Sequence, residues 1–173
     1  MAEGNSFILM IQFAVPLMLV NILQMTYTMV DGAVVGRILG VDTFAAVGAT
    51  ASIFWMVMGA VFGITQGFGV IFAQLFGCKD MDGLSHAFVT GLLLSAGIGM
   101  VISATGITCV RYLLAVLQTP PELMSGAILY LGLLLGGMPI TLVYNTLGAM
   151  FRAMGDSKTP LRATIFSVLF NIV

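Results

Sequence analysis

Charge is what this chain has least of. Only six Lys and Arg and seven Asp and Glu occur in 173 residues, 8% in all, against 60% hydrophobic residues. Mean hydropathy is +1.11. An ordinary soluble domain carries about a quarter charged residues, so this scarcity excludes one and points to an integral membrane protein. Cysteine is nearly absent too. Cys78 and Cys109 have no second Cys or His at metal-ligand spacing, which gives no basis for a structural metal site. They fall at opposite ends of apolar runs, about a bilayer thickness apart, so no disulfide is expected between them. No phosphate-binding loop, nucleophile triad or metal-ligand cluster occurs, and no enzyme or nucleic-acid-binding function is read here.

What the chain does contain is long uncharged runs. The charges at Asp42 and Lys79, Asp82 and Arg111, and Glu122 and Arg152 enclose three of them, with His86 the only residue inside whose ordinary titration lies near neutral pH. A fourth precedes Arg37 and a fifth opens after Arg162. Each enclosed run exceeds the roughly 20 residues a helix needs to cross a bilayer. They are continuous rather than alternating, which argues against barrel strands. The expected fold is all-α: a polytopic membrane helix bundle with spans at 7–36, 44–77, 84–110 and 123–151 and the start of a fifth from Ala163.

The loops set an expected orientation. Lys79, Arg152, Lys158 and Arg162 fall on one side and Arg37 and Arg111 on the other. The positive-inside rule then places the larger set and the N-terminus in the cytoplasm, with the protein multi-pass in the cytoplasmic (inner) membrane. The N-terminus lacks a basic region, and the first apolar run is too long for a signal peptide, so the first helix is expected to be retained.

Asp31 is the only charged residue between Glu3 and Arg37, inside the first span. A carboxylate in hydrocarbon costs roughly 3 kcal/mol or more, so such residues face a protein interior or a wet cavity. Asn21, Gln24, Thr28 and Asp31 follow at spacings of three, four and three, within about 80° of arc on one helix face. For the neutral three, a hydrogen-bonded helix seam and a wet, cavity-lining face both remain open. For Asp31 a functional role is favoured, because an Asn would serve packing at less desolvation cost. Desolvation raises a carboxylate's pKa and a bound cation lowers it, so alternating surroundings would let Asp31 exchange a proton for a cation. Pro16, upstream on the same helix, removes a backbone hydrogen bond and offers either a static bend or a hinge. Tyr144 and Asn145 interrupt the fourth span and are candidates to reach the first helix.

Small residues recur every four positions, at Gly32, Gly36 and Gly40, at Gly59, Gly63 and Gly67, and at Gly91, Ser95, Gly99 and Ser103. These rows are expected to be close-packing faces. The abundant Met residues and Trp55 are readable either as lipid-facing or as cavity-lining.

Taken in order, these segments resemble the N-terminal part of the multidrug and toxic compound extrusion family. Pro16 is followed by Val30-Asp31-Gly32, then Val35-Gly36-Arg37-Ile38-Leu39-Gly40 and Ala45-Ala46-Val47-Gly48. Gln74-Leu75-Phe76-Gly77-Cys78-Lys79-Asp80 is similar to the family's second-helix ending, with Cys at its Ala position. Arg152-Ala153-Met154-Gly155-Asp156-Ser157-Lys158-Thr159-Pro160 is similar to its cytoplasmic signature. The resemblance implies twelve helices in two lobes of six. It also implies export of small organic, often cationic, compounds coupled to inward Na+ or H+ flow, with no organic cofactor. By the same resemblance Asp31 and Asn171 would form the cation site, and Na+ at Asp31 is the only metal implied. Val173 lies inside a span, so the chain is expected to be a fragment lacking the C-terminal lobe of the same parent. A lipid-linked saccharide flippase of related fold and a non-transporting membrane scaffold are the competing functions. No Lys or Arg lies inside the spans, against the basic cavity a saccharide flippase would be expected to show.

Overall fold

A chain in hydrocarbon has no water to satisfy its backbone N–H and C=O groups, so continuous apolar runs must close those bonds internally as helices. The computed structural model describes the backbone of residues 6–38 and 40–172, and their side chains except at 6–9, 12, 13, 31, 35, 38, 41–43 and 169–172. It consists of α1 (Ser6–Ile38), α2 (Val41–Gly77), α3 (Met81–Val116), α4 (Pro121–Gly136), α5 (Met138–Ala153) and α6 (Lys158–Ile172). No strand occurs among the described residues. The chain is an all-α, multi-pass membrane protein, in which α1, α2 and α3 each contain a stretch long and apolar enough to cross a bilayer.

Three of the connections stop and restart a helix by one device. Lys79, Gln118 and Gly155 adopt positive φ, at 60°, 54° and 80°. The next N–H then reaches back five residues: Asp80 to the Leu75 carbonyl, Thr119 to Leu114 and Asp156 to Phe151. That is the left-handed stop which satisfies a helix's last carbonyls. Asp80 and Asp156 at once cap the following helix. Asp80 accepts from the Gly83 N–H at 2.9 Å, and Asp156 from the N–H groups of Lys158 and Thr159 at 3.0 and 3.1 Å. The two motif segments Gly77–Asp80 and Arg152–Pro160 therefore have a structural use as tight helix-to-helix turns.

The core lies among α2, α3, α4 and α5. Ala46, Ile53 and Val61 of α2 meet Val110 and Leu114 of α3 and Leu131, Leu135, Met138 and Leu142 of α4 and α5. Along the fourth apolar run the buried positions 127, 131, 135, 138, 142, 146 and 149 recur at three and four residues, the spacing of one helix face. Both α4 and α5 pack on α2 and on α3, whereas α1 and α6 pack mainly on each other.

Two expectations are corrected. The fourth span, read as one helix over 123–151, is two helices meeting at Gly137 with a bend of 43°. Pro139 causes it: having no N–H, it cannot donate to the Leu135 carbonyl one turn back. The last helix begins at Lys158 rather than Ala163, because Asp156 caps its first turn.

The three rows of small residues also separate. Gly91, Ser95 and Gly99 are buried where α3 meets α5, and Gly99 lies so close that an added Cβ would stand 2.5 Å from the Pro139 Cα. Gly32 and Gly36 face the Phe44 ring at 3.6 and 3.7 Å by the same measure. Gly59, Gly63 and Gly67 of α2, expected to pack, are exposed and have open space at their Cβ positions, because α3, α4 and α5 occupy the other faces of that helix.

Candidate functional site

Where the α1 and α6 pair meets α5, a cavity of about 280 Å³ opens. It is lined by Gln24 and Tyr27 from α1, Tyr144 from α5, and Thr164, Ser167 and Val168 from α6. The local chemistry of the hydroxyls limits what they can offer. Thr164 donates its proton to the Pro160 carbonyl at 3.0 Å and Ser167 to the Ala163 carbonyl at 3.1 Å, each on its own helix. Both oxygens are left with acceptor capacity. Gln24 adds an amide, and Tyr27 and Tyr144 add aromatic rings. None of the described lining residues carries a positive charge. A wall of acceptors and aromatic faces suits a cation or a hydrogen-bond donor, since ring faces attract cations by roughly 0.5–2 kcal/mol.

The candidates read from sequence divide at this cavity. Gln24 and Tyr144 line it, so the first helix and the fifth do come together around them. Asn21 and Thr28 are exposed on α1 and do not line it, and Thr28 turns its hydroxyl to the Gln24 carbonyl at 2.9 Å. Asn145 does not line the cavity with the described residues of the first helix. Its amide donates to the Thr141 carbonyl at 2.8 Å on α5 itself. Pro16 lies inside α1, which runs unbroken from Ser6 to Ile38. Asp31 lies on α1 and Asn171 on α6, two helices that pack together, but both side chains fall outside the described residues.

Tyr27, Thr164, Ser167 and Val168 were missed. Tyr27 follows Gln24 by three residues, so the stripe already pointed to its neighbourhood. Thr164 and Ser167 repeat the same three-residue spacing, but only the packing of α6 on α1 gives that spacing a partner. Outside the cavity, Trp55, Met18, Met25 and Met29 are exposed, as is His86 on α3. Cys78 and Cys109 are exposed free thiols. No group of three or more metal-ligating side chains occurs among the described residues.

Comparison with known proteins places this architecture. The MatE family profile matches residues 16–173, nearly the whole chain. The chain belongs to the MatE family. Members of that family are transporters rather than enzymes. Among MatE relatives, the chain is 30% identical over 171 residues to the probable multidrug resistance protein YpnP of Bacillus subtilis, covering 99% of this chain and 38% of that protein. It is 32% identical over 160 residues to the probable multidrug resistance protein YoeA of the same organism, covering 92% and 35%. Among solved structures, the crystal structure of MATE in the straight conformation superposes with a TM-score of 0.84 at 26% identity, over 92% of this chain and 35% of that one. The chain thus spans a little over a third of the length of the MatE proteins it matches.

Proposed function

We propose that this chain forms the N-lobe part of a cation-coupled exporter of small organic compounds, with the α1–α5–α6 cavity as a binding site for organic cations. One observation carries the reading: a cavity walled by acceptor oxygens and two tyrosines, with no cationic residue among its described lining, on the helices that bear Asp31 and Asn171. The relatives named as probable multidrug resistance proteins support export of small organic compounds, and the cavity's chemistry supports their being cations. In this reading Asp31 and Asn171 bind the coupling ion, Na+ or H+, and the organic cation leaves when Asp31 takes it up. The mechanism uses a change of charge at Asp31: ionised, it attracts a cation; protonated or Na+-bound, it does not. The second lobe of the same parent would supply the other face needed for alternating access. The basic residues Lys79, Arg152, Lys158 and Arg162 would lie at the cytoplasmic end, with the N-terminus on that side of the inner membrane.

The test is efflux of the fluorescent cation ethidium from vesicles containing the full-length protein, with Na+ and proton gradients imposed separately. Asp31→Asn changes charge at nearly constant shape, so it should abolish gradient-driven efflux while leaving expression and folding intact. Undiminished efflux by that variant with either gradient would sink the coupling role.

A further inference from the structure

The break in the fourth apolar run lies in the core, away from the cavity, yet it sets the direction of the helix that brings Tyr144 there. Tyr144 stands seven residues beyond Gly137. At 1.5 Å per residue that is a lever of about 10 Å, so each 10° of bend moves Tyr144 by roughly 2 Å. The observed bend is 43°.

Three features hold it. Pro139 leaves the Leu135 carbonyl without its helical donor, so the run cannot close into a straight helix there. The Gly137 N–H is shared between the carbonyls of Leu133 and Leu134, at 3.1 and 3.2 Å, and Thr141 donates both its N–H and its hydroxyl to the Gly137 carbonyl, at 3.1 and 3.2 Å. Most directly, α3 presents bare backbone to the bend. A Cβ on Gly99 would lie 2.5 Å from the Pro139 Cα, 2.9 Å from its nitrogen and 3.2 Å from the Met138 carbonyl oxygen. Backbone on both sides leaves no flexible atom to give way. One turn pair along α3, a Cβ on Gly106 would meet the tip of Leu135 at 2.8 Å, a side chain that can turn aside.

Resting on the reading of the cavity as an organic-cation site, we propose that Gly99 and Pro139 are positioning residues for that site: their backbone contact fixes the α4–α5 bend and, through it, the distance of Tyr144 from Gln24 and Tyr27. They touch no ligand. A methyl on Gly99 needs roughly 1 Å more room to reach ordinary van der Waals contact, and the lever carries that displacement into the cavity wall.

The experiment uses the full-length protein and ethidium binding at equilibrium. Gly99→Ala and Pro139→Ala should each raise the ethidium Kd by roughly tenfold, and Gly106→Ala should leave it within about twofold. With Cys78 and Cys109 replaced by Ser, spin labels at exposed Met25 and Leu147 should report a distance change of roughly 1–2 Å in Gly99→Ala and Pro139→Ala and none in Gly106→Ala. Combining Gly99→Ala with Tyr144→Ala should bind no worse than Tyr144→Ala alone, a result general destabilisation would not produce. If Gly99→Ala fails to fold, Pro139→Ala, which adds no bulk at the contact, decides the matter. Folded variants with unchanged Kd and unchanged label distance overturn the positioning role while leaving the cavity reading intact. If Gln24→Ala and Tyr144→Ala themselves leave ethidium binding unchanged, the cavity reading falls and the positioning role with it.

Discussion

Ser95 and Thr146 bring their hydroxyl oxygens to 2.6 Å where α3 crosses α5, both fully buried. Thr146 spends its proton on the Leu142 carbonyl at 2.9 Å, which makes Ser95 the donor of the pair. The bond ties together the two helices on either side of the Gly99 contact. Ser95→Ala should lower stability by about 0.5–1.5 kcal/mol, the range for hydrogen bonds between membrane helices. Thr146→Val should cost at least as much, because it strands the Ser95 hydroxyl. Thermal unfolding in detergent of both single variants and the double variant measures this, and strict additivity would show that the two groups do not interact.

Asp156 gives a pH dependence. Its carboxylate is held below the usual range first by the Thr159 hydroxyl, then by the backbone N–H groups of Thr159 and Lys158 and the charge of Arg162. A depressed carboxylate pKa contributes stability that is present above the unfolded value of about 3.9 and is lost as pH falls through the lower folded value. Amide-exchange protection at Lys158 and Thr159 should therefore be flat from neutral pH down to about 5 and fall only below about 4. Asp156→Ala should lose that protection at all pH values, and a fall centred near neutrality would contradict the assignment.

The glycine rows predict a contrast. Gly63→Ala should change stability by no more than about 0.5 kcal/mol or improve it, since its Cβ position is open and Ala is the better helix former. Gly99→Ala should cost about 1–3 kcal/mol through overpacking. Equal losses at both sites in thermal melts would mean that the α2 row is covered by another helix.

Among the polar candidates, Tyr144→Ala should weaken ethidium binding by roughly five- to tenfold, about 1–1.4 kcal/mol for a lost aromatic face. Asn145→Ala should leave affinity within about twofold, because that amide donates to the Thr141 carbonyl of its own helix and does not line the cavity. Fluorescence titration of both variants separates the neighbours. Reversal of their order would mean that α5 presents a different face to the cavity.

Much of the fold was legible in the residues because the membrane constraint is local: a run of apolar residues must satisfy its own backbone as a helix, whatever surrounds it. The all-α class and the polar face of the first helix, including Gln24, follow from composition and spacing alone. Even the bend at Pro139 had a local cause, although a continuous apolar run concealed it. What only the tertiary structure decided was pairing. Three glycine rows look alike in sequence, yet one meets Pro139 backbone, one meets the Phe44 ring and one meets open space. Tyr144 and Asn145 are adjacent and both polar, but the cavity takes one while the Thr141 carbonyl takes the other. Thr164 and Ser167 gain meaning only because α6 folds back on α1, bringing them to residues about 140 positions away in sequence. Periodicity reports which face of a helix is special; which neighbour meets that face is a long-range choice made by packing the whole bundle.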